Sequence, residues 1–167
     1  MTLFIDVPTL GKLVRKVGVT EFMKGLLKCL EDDFSRWEDF DKSSRVSAHN
    51  DLGVIELLPI ANQENFGFKY VNGHSYNPLH GFSTVMAFGA LFDVSTGYPQ
   101  LLPELTLSTA LRTATTAAMA AKVLAKNNSR SMGMIDCGAQ SEFQAIAFHT
   151  LINIDELRIF DLDKTSM

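Results

Sequence analysis

Four charged side chains stand out by their setting in the sequence. Glu56 is the one acid in Val54-Ile55-Glu56-Leu57-Leu58-Pro59-Ile60, and Lys69 lies among aromatics in Phe66-Gly67-Phe68-Lys69-Tyr70-Val71. Arg45 falls where the hydrophobic period changes, and Arg112 falls among threonines at the start of a helical, small-residue stretch. Lys69 and Arg112 occupy stretches that read as buried or half-buried, so each charge must be paired or must face a cleft. Two chemistries fit. One is an internal salt bridge, for instance with Glu56. The other is a cationic pocket for a carboxylate, where Arg binds bidentately. Burial of Glu56 would raise its pKa and suit it to proton transfer, whereas an ion pair would lower it. The residues themselves leave both alternatives open.

A second constellation spans Met132–Asp161. The apolar run Met132-Gly133-Met134-Ile135 leads into the turn Asp136-Cys137-Gly138-Ala139-Gln140. A helical pattern follows from Ser141 to His149, and Leu157-Arg158-Ile159-Phe160 ends on Asp161. Strand, glycine turn, helix, strand and terminal acid is the order of a βαβ dinucleotide-binding unit. In such a unit glycine lets the backbone approach a pyrophosphate at the helix N-terminus, and the acid accepts ribose hydroxyls. His149, on the apolar helix, reads as structural.

The elements that must position these residues follow from period and punctuation. Leu3-Phe4-Ile5 reads as a strand, and Pro8-Thr9 opens a helix ending near Gly18. Thr20 is the expected N-cap of a longer helix, whose stripe of Phe22, Leu26, Leu27, Leu30, Phe34 and Trp37 reads as packing. Strands are expected over Val54–Ile60, Phe66–Val71, one or two within Phe82–Phe92, and from Pro99. Turns are expected at Asn72-Gly73 and Ser95-Thr96-Gly97. Several strands joined by short turns imply a mixed, mainly antiparallel sheet. Leu105–Lys126 is a long helix whose alanines from Ala114 to Ala121 admit close backbone packing, and Asn127-Asn128-Ser129 ends it. The fold class is therefore α/β. An α+β substrate-binding and dimerisation domain over 1–128 is followed by the first βαβ unit of a Rossmann domain over 129–167.

Bulk properties exclude other classes. The 167 residues are 46% hydrophobic and 20% charged, which describes a folded chain. Net charge is −4, and Lys12, Arg15, Lys16, Lys24 and Lys28 are interleaved with Glu21, Glu31, Asp32 and Asp33, which reads as a solvated helix face and argues against a nucleic-acid partner. Cys29 and Cys137 suggest no disulfide framework. No run reaches membrane-spanning length and no basic leader precedes an apolar core, so a cytoplasmic protein is expected. The sequence contains no GxSxG, GxxxxGK[ST], HExxH or CxxC, and its four histidines have no metal-ligand spacing.

These residues carry a resemblance to the ornithine cyclodeaminase and mu-crystallin family, on its bacterial ornithine cyclodeaminase side. The matching stretches are Phe34-Ser35-Arg36-Trp37 with Arg45, Gly53 to Pro59, Phe68 to His74, Thr84 to Gly89, Ser95 to Pro99, Glu104 to Ala114, and Gly138-Ala139-Gln140-Ser141-Glu142-Phe143-Gln144. The resemblance implies NAD-dependent conversion of L-ornithine to L-proline with release of ammonia. It assigns Arg45, Lys69 and Arg112 to the substrate carboxylate, and Lys69 and Glu56 to catalysis. Thr84, Arg112, Gly138, Ala139, Gln140 and Asp161 fall to the cofactor, the last at the adenosine ribose. It implies a homodimer through the N-terminal sheet. The alternatives are a related NAD(P)H-dependent imine reductase or amino-acid dehydrogenase, or a non-catalytic remnant that binds a partner chain.

Two departures from the family pattern bear on these expectations. Family members usually carry glycine where this chain has Asp136, so bulk and negative charge near the phosphates predict weakened NAD binding. The chain also stops six residues after Asp161, in the manner of the N-terminal half of a longer enzyme. A truncated or split product with an incompletely covered sheet is the expectation that follows.

Overall fold

The computed structural model describes residues 1–167. The period-two stretches form strands β1 (Leu3–Ile5), β2 (Val46–Asn50), β3 (Gly53–Ala61), β4 (Asn65–Gly73), β5 (Ala87–Asp93), β6 (Pro99–Pro103), β7 (Ser131–Ile135) and β8 (Glu156–Phe160). The helices are α1 (Val7–Val17), α2 (Val19–Ser35), α3 (Thr106–Leu124) and α4 (Ser141–Ile152). The chain divides into two compact units, Met1–Leu13 with Arg36–Thr109, and Val14–Ser35 with Ala110–Met167.

The first unit is built on a six-stranded sheet of order β1-β6-β5-β4-β3-β2. Every pairing is antiparallel except β1 with β6, so the mixed, mainly antiparallel sheet is as the strand pattern implied. Side-chain acceptors set the turns. Asn62 Oδ1 accepts the amides of Glu64 and Asn65 at 3.0 and 2.7 Å between β3 and β4. Asp93 Oδ1 accepts the Thr96 amide at 2.8 Å between β5 and β6, and Gly97 takes φ +71° there. Asp6 opens α1 by accepting the Thr9 amide at 2.9 Å.

Three local expectations are corrected. Asn72-Gly73 is not a turn but the end of β4, because Asn72 bonds across to Met86 through its backbone and through Oδ1 (2.7 Å to the Met86 amide). Thr20 lies inside α2 and not at its cap, since Gly18 at φ +88° turns the chain and the helix begins at Val19. Of Phe82–Phe92, only Ala87 onward is strand; the segment before it follows a short 3-10 turn at Asn77–His80 and a left-handed Gly81.

The second unit holds its core in the buried faces of α2, α3 and α4 and the loop after α4, with Val14 near the end of α1 also buried. Met23, Leu27 and Leu30 come from α2, Leu111, Ala114, Thr115 and Ala118 from α3, Ala147 from α4, and Ile154 from the loop. Thr115 is fully buried without cost, because its hydroxyl donates to Leu111 O at 2.8 Å within the helix. Ala114 and Ala118 are both wholly covered, as the small-residue stretch predicted. Strands β7 and β8 pair in parallel, from Ser131 opposite Glu156 to Ile135 opposite Phe160, with α4 as the crossover between them. Asn153 at φ +62° ends α4, and His149 Nδ1 lies 2.9 Å from Ile154 O, which gives this histidine a structural place.

Candidate functional site

Strand register decides which side chains share a surface. Residues directly opposite in an antiparallel pair point to the same face, and so do residues two apart along a strand. Ser47 is opposite Glu56, Leu58 is opposite Lys69, and Lys69 is opposite Gly89. Ser47, Glu56 and Lys69 therefore lie on one face. Ile55, Leu57, Phe66, Phe68, Tyr70, Phe88 and Phe92 lie on the other, with Tyr70 stacked on Phe88 at 5.0 Å. The aromatics beside Lys69 in sequence thus point away from it. The sheet thus separates these charged side chains, set among apolar neighbours such as Leu58 and Val71, from the aromatic ones.

On the charged face, Arg45 Nη1 donates to Glu56 Oε1 at 2.8 Å, and the Ser47 hydroxyl reaches the same oxygen at 3.3 Å. The Arg45 hydrogen bond holds the Glu56 carboxyl below the ordinary glutamate range. Burial opposes this, while the charge of Arg45, the Ser47 hydroxyl and the charge of His49 reinforce it. Glu56 is thus an ion-paired acceptor with Arg45 as a partner. Ser47 and His49 belong to β2, a strand the sequence pattern did not single out, although the two alternate with Val46 and Ala48 at a strand's period.

Lys69 is half-buried and faces a position where only glycine fits. A Cβ on Gly89 would come within 2.5 Å of Phe68 O and 2.7 Å of Leu105 Cδ1. Thr84, also in the first unit, is half-buried, and its carbonyl accepts the His74 amide at 2.9 Å. Arg112 belongs to α3 in the second unit. It is exposed, beside a buried stripe made by Leu111, Ala114, Thr115 and Ala118. The expectation that Arg112 sits in a buried setting is corrected, since the helical period turns it out of that stripe.

The turn between β7 and α4 is a separate cluster in the second unit. Asp136 adopts φ +79°, and its Oδ1 accepts the Gly138 amide at 2.8 Å. Asp161, just after β8, accepts the Cys137 amide at 2.7 Å on Oδ2 and the Asp163 amide at 2.8 Å on Oδ1. These backbone donors, the Cys137 amide foremost, hold Asp161 below the usual aspartate range. Ala139 and Gln140 are exposed at the start of α4. The Cys137 thiol is pushed up, first by burial and then by the charges of Asp161 and Asp136. Two carboxylates thus converge on successive backbone amides of one turn.

A hollow of about 560 Å³ lies away from the ion pair. Phe4, Phe68, Phe88, Leu102 and Glu104 are among its lining residues, and its wall is almost wholly apolar. No helix is long and apolar enough to cross a membrane.

The ornithine cyclodeaminase/mu-crystallin family matches residues 8–167. The ornithine cyclodeaminase of Brucella abortus biovar 1 (strain 9-941) is 54% identical over 160 residues, which is 96% of this chain and 45% of that protein. A lysine cyclodeaminase, whose structure addresses recognition of L-lysine, L-ornithine and L-2,4-diaminobutyric acid, superposes with a TM-score of 0.92 at 25% identity over 99% of this chain and 50% of its own. An archaeal alanine dehydrogenase dimer with bound NAD superposes with a TM-score of 0.82 at 27% identity, again over 99% and 50% of the two chains. The chain spans about half the length of the relatives it matches. On the extent of these matches, this chain belongs to the ornithine cyclodeaminase/mu-crystallin family.

Proposed function

We propose that this chain carries the amino-acid-recognition surface of an ornithine cyclodeaminase-like enzyme, which converts L-ornithine to L-proline with release of ammonia. The observation that carries this reading is the grouping of Arg45, Glu56 and Lys69 on one face of the first unit's sheet, in a member of this family. Arg45 and Lys69 supply positive charge for the α-carboxylate, and Arg112 is assigned to the same task. Glu56, held ionised, offers an acceptor for a substrate ammonium; its lowered pKa weakens it as a base, so its part in catalysis is to bind and position that nitrogen. Fixing the carboxylate at one end and the terminal ammonium at the other orients the α-carbon.

The βαβ unit of β7, α4 and β8 has the element order and terminal acid of a dinucleotide site. Asp161, Ala139, Gln140 and Gly138 are its assigned contacts, with Thr84 and Arg112 also assigned to the cofactor. Asp136 is the one residue that fits poorly there. When bound, NAD would supply the acceptor and later the donor of the substrate's hydride. A cytoplasmic homodimer is part of the reading. The aromatic face of the sheet leaves Phe66 40% and Phe88 46% exposed, which suits burial against a second copy.

The test is product formation from L-ornithine with NAD, set against NAD(P)H-dependent reduction of cyclic imines. Proline and ammonia in equal amounts support the cyclodeaminase. Imine reduction alone favours a reductase or amino-acid dehydrogenase, a reading that the shared fold with alanine dehydrogenase keeps in view. Turnover of neither, with ornithine bound or not, favours a non-catalytic interaction subunit.

A further inference from the structure

Asp136 stands at a glycine-like backbone position and does more than crowd it. Its φ of +79° lies in the left-handed region, where aspartate is tolerated because its short side chain can bond locally. It does so here: Oδ1 accepts the Gly138 amide at 2.8 Å, and a Cβ on Gly138 would meet that same oxygen at 2.9 Å. The adjacent Cys137 amide is taken by Asp161 Oδ2 at 2.7 Å. Backbone amides at a strand-to-helix turn are what holds a phosphate in a dinucleotide site. In this chain two of them already hold carboxylates.

We propose that the Asp136 carboxylate is an internal anion occupying the diphosphate cradle, so that the turn selects against diphosphate-bearing ligands and not against the nucleoside they carry. The proposal rests on the cofactor reading of the βαβ unit and refines it to one oxygen and one amide. A diphosphate entering the turn must displace Oδ1 from the Gly138 amide and then sit beside the displaced charge. Both costs are absent for a ligand without phosphate.

The experiment is an amide-resolved NMR titration of the intact 15N-labelled chain with NAD and, separately, with adenosine. Parent, Asp136→Asn and Asp136→Gly are compared. Asparagine and glycine both accept positive φ, so each variant keeps the turn. Asparagine keeps an acceptor for Gly138 but loses the charge; glycine loses both. NAD affinity is expected to rise at least about tenfold in Asp136→Gly, the effect of removing one close like charge and its hydrogen bond, with Asp136→Asn between glycine and parent. Adenosine affinity is expected to stay within about twofold across the three, a change too small to register as an interaction lost or gained. The Gly138 amide should move on NAD addition in Asp136→Gly. Adenosine binding with no gain for NAD overturns the inference while leaving the cofactor reading intact, and so does an equal gain for adenosine. Failure of every variant to bind either ligand overturns both.

Discussion

Arg45 and Glu56 meet at 2.8 Å on the charged face of the sheet, across the β2–β3 pairing that also brings Ser47 to the same oxygen. The contact turns the one acid of an apolar strand into an ionised acceptor. Because its cation is 58% exposed, the pair matters more for the state of Glu56 than for folding energy, on the order of 0–1 kcal/mol.

The pair predicts a sign for pH dependence. Glu56 has a lowered pKa in the fold, so its contribution is present above the unfolded glutamate value of about 4.3 and is lost as pH falls through the lower folded value. Denaturant titrations between about pH 6 and pH 3 should show Glu56→Gln less stable than the parent at the upper end, with the gap closing at the lower. A gap that widens on acidification would contradict the ion pair.

Gly89 predicts a local steric limit. Gly89→Ala places a methyl against Phe68 O and Leu105 and should cost about 1–3 kcal/mol in urea unfolding. Gly133→Ala in β7, where a Cβ meets nothing within 4 Å, is the matched control and should be near neutral.

The turn at Asp136 predicts a change in thiol reactivity. With Cys29, which is exposed, replaced by serine, Asp136→Asn removes one of the charges that push the Cys137 thiol up. Alkylation of Cys137 at fixed pH near neutrality should then quicken, because the thiolate fraction rises. An unchanged rate would mean the Asp136 charge does not reach the sulfur.

The aromatic face predicts self-association. Phe88 is 46% exposed and stacked on Tyr70. Phe88→Glu should shift a dimer to monomer in sedimentation without loss of helix content. A parent that sediments as a monomer over a wide concentration range would remove this part of the account.

Much of this was legible from the sequence, and the misses have physical causes. Glu56 and Lys69 could be picked out as charges in apolar strands, and β3, β4, α3 and the β7–α4–β8 order followed from period. Their shared face could not be read, because it depends on the register that sets Leu58 opposite Lys69. Strand β2 was missed since all five of its residues are exposed and leave no buried stripe. Asn72-Gly73 has turn composition, yet the Asn72 side chain bonds Met86 and keeps the strand going. Asp136 was recognisable as a misfit for glycine, but its hold on the Gly138 amide is a matter of geometry alone.

The central claim is that the Arg45–Glu56–Lys69 surface recognises an amino acid through its carboxylate and its terminal ammonium. Calorimetric binding of L-ornithine and of L-ornithinol, which lacks the carboxylate, to parent and Lys69→Ala tests it most directly. The account predicts that ornithine binds the parent, that ornithinol binds at least about tenfold more weakly, and that Lys69→Ala narrows the difference between them. Equal binding of the two ligands by the parent, or a difference undiminished in Lys69→Ala, would contradict it.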